Sequence, residues 1–267
     1  MKIVDTFLIN DELDILELRL RYLDPVVEYF VIVESDHSFS GKPKPYHFME
    51  NRDRFKPWAD KIVHLPIEQD PSQFEFKEVK TYTPDDGAFQ MEAQCRLALQ
   101  HADGYIDDDS ILLLSDVDEI WNRKLAPHFD KHLTAYSTLS FHMEFFAYQF
   151  NNKNTYGPDV NWFGTVATKG FTWKSHHPQY FRDNRHSGNI IHPGGWHFSW
   201  TSSIKNKIQS FSHTEFNRPE ILDGIDEAVS KGVDVLHRPG VVYERVELDH
   251  FSADLANIML DYPHLIK

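Results

Sequence analysis

The stretch ILLLSDVDEIW, residues 111–121, decides the fold class. Four apolar residues, Ile111, Leu112, Leu113 and Leu114, run without a break into Ser115 and then Asp116-Val117-Asp118-Glu119. A short unbroken apolar run bounded by polar residues fits a strand buried on both faces, as in the middle of a parallel sheet. The acids then stand where the strand leaves the sheet, and in open α/β sheets that carboxyl edge is where ligands bind. Asp116 and Asp118 are two apart, so extended backbone points both carboxylates one way and turns Val117 toward the core. Two hard oxygen ligands on one side, with Glu119 adjacent, suit Mg²⁺ or Mn²⁺, which take a few carboxylates plus substrate phosphates. The competing reading is a solvated turn in which Asp118 caps a short helix.

Upstream, residues 3–9 form an apolar strand. Asn10 or Asp11 then caps a helix whose Leu13, Leu16, Leu20 and Leu23 recur at helical spacing. Asp24-Pro25 ends it, and residues 26–33, VVEYFVIV, read as a second buried strand. This is a βαβ opening, with a right-handed crossover and neighbouring parallel strands. The loop that follows carries Lys42 and Lys44 near the ligand edge of the sheet. Residues 51–58 read as a short helix, 61–65 as a third strand, and 66–86 as a long polar loop of the kind that serves as a lid or recognition segment. A helix over 88–101 leads into the central strand. Asp107, Asp108 and Asp109 precede that strand, so they fall at the opposite edge and read as solvated.

Composition sets limits. The chain has 267 residues, 41% of them hydrophobic and 14% aromatic, enough for a sizeable core in one large domain. A net charge of −14 argues against binding a nucleic-acid backbone. The single cysteine, Cys95, excludes an intrachain disulfide and a Cys-based zinc site. No apolar run approaches the roughly 20 residues of a membrane-spanning helix, and the N-terminus moves directly into a strand pattern. The expected location is cytoplasmic.

Downstream, residues 127–132 read as a short helix and 138–150 as a strand. Glu144 lies within that aromatic strand, where a carboxylate needs a partner or water. Glycines and prolines leave short strands and loops over 157–195. GGWHFSW, residues 194–200, carries His197. Residues 203–211 are amphipathic, with Lys205 and Lys207 expected in solvent, and residues 218–229 read as one helix.

Several of these stretches together resemble glycosyltransferase family seventeen, the β-1,4-mannosyl-glycoprotein 4-β-N-acetylglucosaminyltransferases. They are DTFLINDELDILELRL, LDPVVEYFVIVESDHSFSGKPKP, LLLSDVDEI, GGWHFSW and KIQSFSHTEFN, in the family's order over roughly residues 1–220. The resemblance implies a GT-A type fold: an α/β, Rossmann-like mixed sheet flanked by helices, with the Asp-x-Asp at its ligand edge. It implies a single catalytic domain over 1–267. Residues 1–120 would be the nucleotide-sugar half, 121–230 the acceptor and catalytic half, and 231–267 a C-terminal cover. It also implies a UDP-sugar donor, UDP-GlcNAc, with Mn²⁺ or Mg²⁺, inversion at the anomeric carbon, and a glycan or glycolipid acceptor. The animal members that act on N-glycans carry a membrane anchor, and the lack of one here points to another carbohydrate acceptor.

Within that frame Asp118, Asp116 and His197 are the metal candidates, with His213 as the alternative histidine. Arg96, Arg182, Lys205, Lys42 and Asp116 are candidates for donor contact, being charged and in or beside the matched blocks. Trp196 and Trp200 are candidates to stack on a sugar. The base that deprotonates the acceptor hydroxyl is sought among Glu215, Asp183 and Glu144. Two other function classes compete. A nucleotidyltransferase that makes the activated sugar would carry a Gly-rich basic signature near the N-terminus, where this chain reads FLIND. A carbohydrate-binding module without turnover would not need the paired aspartates.

Overall fold

A computed structural model describes all 267 residues. It contains one ten-stranded sheet. The strands are β1 (Ile3–Ile9), β2 (Tyr29–Ser35), β3 (Ile62–Ile67), β4 (Ile111–Asp116), β5 (Glu119–Trp121), β6 (Thr138–Ala147), β7 (Asn152–Tyr156), β8 (Trp162–Lys169), β9 (Asn189–Ser199) and β10 (Val242–Arg245). β3, β2, β1 and β4 are neighbours in that order and all parallel. Beyond β4 the sheet changes sense: β8 is antiparallel to β4 and to β6. β9 lies parallel to β6 and antiparallel to the short β5. This is the expected GT-A type layout, a Rossmann-like parallel half extended by a mixed half.

The parallel half forms because its strands are apolar on both faces. Every residue of β1 is buried, as are Phe30 to Ser35 of β2. Helix Leu13–Leu23 returns the chain between β1 and β2 and buries Leu16, Leu18, Leu20 and Leu23 completely. Each such side chain contributes about 1.5–3 kcal/mol by leaving water. The helix is held from outside by helix Ala253–Met259, whose Leu255 and Met259 join the same core as Leu265 near the C-terminus. No helix is long and apolar enough to cross a membrane.

Several local expectations shift. β2 begins at Tyr29, not at Val26, because the turn after Pro25 takes three more residues. The first helix has Glu12 at its N-cap, with no side-chain cap bond from Asn10 or Asp11. Helix Gly87–Leu97 is shorter than expected and loosens into 3-10 turns over Ala98–Tyr105. Asp86 caps its start by accepting from the Ala88 N–H at 3.0 Å. The acidic triplet runs into strand β5, so Asp118 caps no helix. The region expected to break into short pieces, 157–195, contains the eight-residue β8 and the start of the 11-residue β9, and residues 218–229 fall in two short helices parted at Gly224. Asp107 and Asp108 lie at the far edge and pair with Lys2 and Lys174, both at 2.8 Å.

Candidate active site

The turn joining β4 to β5 is anchored from beneath by one buried cation. Arg19, on the inner face of helix Leu13–Leu23, is fully buried. Its Nη1 donates to the carbonyls of Asp116 (3.1 Å), Val117 (3.2 Å) and Glu119 (2.8 Å). Its Nε and Nη2 donate to Asp5 of β1, both at 2.7 Å, and Nη2 reaches Ser115 Oγ at 2.6 Å. Trp121 Nε1 donates to the same aspartate at 3.1 Å. Val117 packs into the core, and the Asp118 carbonyl accepts from the Phe198 N–H at 2.9 Å. A tight turn whose carbonyls would otherwise be stranded in the interior is thus satisfied and held in one shape.

Above this turn the three carboxylates each meet cations. Asp116, half-buried, accepts from Arg182 Nη2 at 2.6 Å and from Arg96 Nη2 at 3.3 Å. Glu119, fully buried, accepts from both terminal nitrogens of Arg182 at 3.0 Å and from Trp162 Nε1 at 2.9 Å. Asp118 is buried, with Lys207 Nζ at 2.7 Å and His197 Nε2 at 3.3 Å from its Oδ2. Burial alone would push the Asp118 carboxyl up, but Lys207 and His197 outweigh it and hold it well below the usual carboxylate range. Asp116 is likewise held low, with Arg182 and Arg96 overcoming its burial.

Other elements position these cations. Helix Pro178–Asp183 presents Arg182, and its Gln179 accepts from Arg96 Nη1 at 2.7 Å while donating to Asp183 at 2.7 Å. Helix Gly87–Leu97 presents Arg96, which also donates to Glu92 at 2.6 Å. Glu92 in turn accepts from Ser212 Oγ. His197 stands opposite Glu119 in the β5–β9 pairing and packs against Trp162, with ring centroids 4.5 Å apart and planes tilted by 35°.

The structure brings together Asp116, Asp118, His197, Arg96 and Arg182, which lie far apart in sequence. Lys42 is separate from them. With Asn10, Asp11, Ser38, Lys44, His47, Asn206, Gln209 and Ser210 it lines a polar cavity of about 250 Å³ beyond the ends of β1 and β2. Lys205 is exposed and joins neither group. Lys207, expected in solvent, is instead half-buried and paired with Asp118, because its helix lies over the turn. Asp183 is exposed at its helix end beside Arg182. Glu215 is buried, with Oε1 2.9 Å from His213 Nδ1 and Oε2 without a partner. Glu144 is tied to Lys153 and to His250. Trp196 packs against Tyr22 and Phe251 in the core, so it offers no face to a sugar. Trp200 is also buried, edge-on to Phe211.

A sequence profile of glycosyltransferase family 17 matches residues 1–249. The chain belongs to glycosyltransferase family 17. No curated protein sequence matches it. Among solved structures, the galactosyltransferase LgtC, crystallised with donor and acceptor sugar analogs, is 10% identical over 80% of each chain, with a TM-score of 0.38. TarS from S. aureus is 14% identical over 54% of this chain and 36% of its own, with a TM-score of 0.31. Mannose-6-phosphate isomerase from Helicobacter pylori is 11% identical over 70% of this chain and 79% of its own, with a TM-score of 0.33. These likenesses are remote.

A divalent cation at this turn would draw its ligands from the side chains around it. No group of three or more His, Cys, Asp or Glu side chains is gathered for an ion. Asp118 Oδ2 and His197 Nε2, however, stand 3.3 Å apart, a spacing that two ligands of one small cation can adopt, and His197 Nδ1 is buried with no partner. Small hard cations often take only one or two protein ligands and complete their shell with substrate phosphate and water. Asp118, whose Oδ2 is held by the single ammonium of Lys207, and His197 fit that pattern, whereas Asp116 is engaged by two arginines.

Proposed function

We propose that this family 17 glycosyltransferase moves N-acetylglucosamine from UDP-GlcNAc to a hydroxyl of a glycan or glycolipid, inverting the anomeric carbon. The observation that carries this reading is the turn itself. Arg19 fixes three of its carbonyls, so Asp116 and Asp118 sit at the carboxyl edge of β4 among converging cations. The polar cavity at the ends of β1 and β2 adjoins this turn through helix Ile204–Ser210. That helix contributes Lys207 to the turn, and Asn206, Gln209 and Ser210 to the cavity.

In this reading the nucleoside occupies the polar cavity, with Lys42 and Lys44 at its wall. The diphosphate lies toward Asp118, within reach of Arg96, Arg182 and Lys207. Asp118 and His197 would hold Mn²⁺ or Mg²⁺, which when bound neutralises charge on the departing diphosphate. Asp116 orients Arg96 and Arg182 by pairing with both, together with Glu92 on Arg96 and Glu119 on Arg182. Asp183 serves as the base. It is the exposed carboxylate beside Arg182, and its one side-chain contact, Gln179, is a neutral donor that leaves it free to take a proton from the acceptor hydroxyl. Glu144, consumed by Lys153 and His250, is structural. Incubating the protein with UDP-GlcNAc and Mn²⁺, and separately with EDTA, while following UDP release tests the reading; no release under either condition would refute it.

A further inference from the structure

Lys207 holds a position that the rest of the site does not explain. It is the only lysine touching Asp118, with Nζ 2.7 Å from Oδ2, and it stands 3.7 Å from Glu12 Oε1. The ring of Trp200 lies 5.7 Å from the same ammonium. Glu12 is itself buried and turns its other oxygen to the backbone N–H groups of Asn10 (3.1 Å) and Asp11 (3.2 Å). The oxygen of Asp118 that faces His197 is therefore the one already held by an ammonium. An ammonium and a divalent ion cannot share that oxygen without repulsion at short range.

We propose that Lys207 is a resident counter-ion of Asp118 that a divalent cation displaces, and that the donor's diphosphate receives the displaced ammonium. The proposal rests on the reading of Asp118 and His197 as cation ligands. Lysine suits an exchange of this kind, being a point charge on a flexible four-carbon stem. Its helix, Ile204–Ser210, already spans the two places between which the charge would move. Asn206, Gln209 and Ser210 face the polar cavity, and Ser210 Oγ accepts from Asn10 Nδ2 at 3.2 Å. A cation arriving alone must expel Lys207 with no new partner for it. A cation arriving with a nucleoside diphosphate does not. Each ligand therefore tightens the other, and Lys207 is the residue that couples them.

The experiment is a Mn²⁺ titration followed by electron paramagnetic resonance, without and with UDP, on the wild type and on Lys207→Met. The wild type should bind Mn²⁺ weakly alone and about tenfold more tightly with UDP, a common size for coupling between two sites. Lys207→Met should bind Mn²⁺ alone about tenfold more tightly than the wild type, and UDP should add little. Its melting temperature should be lower in EDTA and rise further on adding MnCl₂ than that of the wild type. If Lys207→Met does not fold, Lys207→Gln, which keeps a hydrogen-bonding group without the charge, carries the same comparison. Mn²⁺ affinity no tighter in the variant, or an equal UDP effect in both proteins, overturns the exchange. Mn²⁺ bound only by the variant, even with UDP present, overturns the exchange and removes the cation from the proposed reaction; binding by neither protein refutes both.

Discussion

Arg19 and Asp5 form a fully buried bidentate ion pair, with Nε–Oδ2 and Nη2–Oδ1 distances of 2.7 Å. One guanidinium edge is spent on strand β1 and the remaining N–H groups on the β4–β5 turn, so helix, strand and acidic turn share a single fastening. Breaking such a pair from one side leaves a buried charge uncompensated and costs about 3–5 kcal/mol. Arg19→Met is therefore expected to lose that much stability in urea unfolding and to lose turnover with it. The double variant Arg19→Met/Asp5→Asn should regain part of the stability, because no unpaired charge remains, but not the turnover, because the turn carbonyls stay unclamped. A double variant as unstable as Arg19→Met would contradict this.

The acid limb of stability should report on Asp118. Its carboxyl is held below the ordinary aspartate range in the folded state, since Lys207 and His197 outweigh burial. A depressed carboxyl stabilises the fold fully above its unfolded pKa, and that contribution fades as pH falls through the folded value. The wild type should thus lose stability steadily on acidification below about pH 4. Asp118→Asn should show a shallower slope over the same range in denaturant unfolding. Equal slopes would mean that Asp118 is not held by these cations.

The proposed base separates two carboxylates of different setting. Asp183→Asn should reduce kcat by about 10²–10⁴, the span of general-base catalysis, with UDP affinity retained. Glu215→Gln should stay within about tenfold of the wild type, because Glu215 is buried against His213. Steady-state kinetics with both variants decides it: a full loss in Glu215→Gln with Asp183→Asn active would reverse the assignment.

Cys95 should be inert in the native protein. Burial pushes its thiol up to about 12, and the nearby Arg96 and Lys44 offset only part of that. A disulfide reagent at neutral pH should label it quickly in denaturant and very slowly in the folded state, since the thiolate is the reactive form. Rapid native labelling would show that helix Gly87–Leu97 opens readily.

The parallel half of the sheet was legible because burial on both faces writes itself as uninterrupted apolar runs, as in residues 111–114 and in β1. Arg19 left a readable trace as well. It falls three residues after Leu16 and four before Leu23, a charge on the buried stripe of its helix, and Asp5 interrupts the apolar IVDTFLI of β1. Two opposite charges in adjacent buried elements call for each other. Lys207 left none. Its segment has the alternation of a solvated helix, and its placement comes from contact with Asp118, 89 residues away, which no local pattern encodes. Trp196 fails in the opposite sense: its motif suggested a sugar platform, but β9 turns that side chain into the core.

The central claim is that the turn bearing Asp116 and Asp118 receives the diphosphate of a UDP-activated sugar with a cation at Asp118. Calorimetric titration of UDP into the protein, with Mn²⁺ and then with EDTA, in the wild type and Asp118→Asn, measures it directly. The wild type should bind UDP at least about tenfold more tightly with Mn²⁺, and Asp118→Asn should lose that difference. UDP affinity that ignores both Mn²⁺ and the substitution, or no UDP binding at all, would contradict the claim.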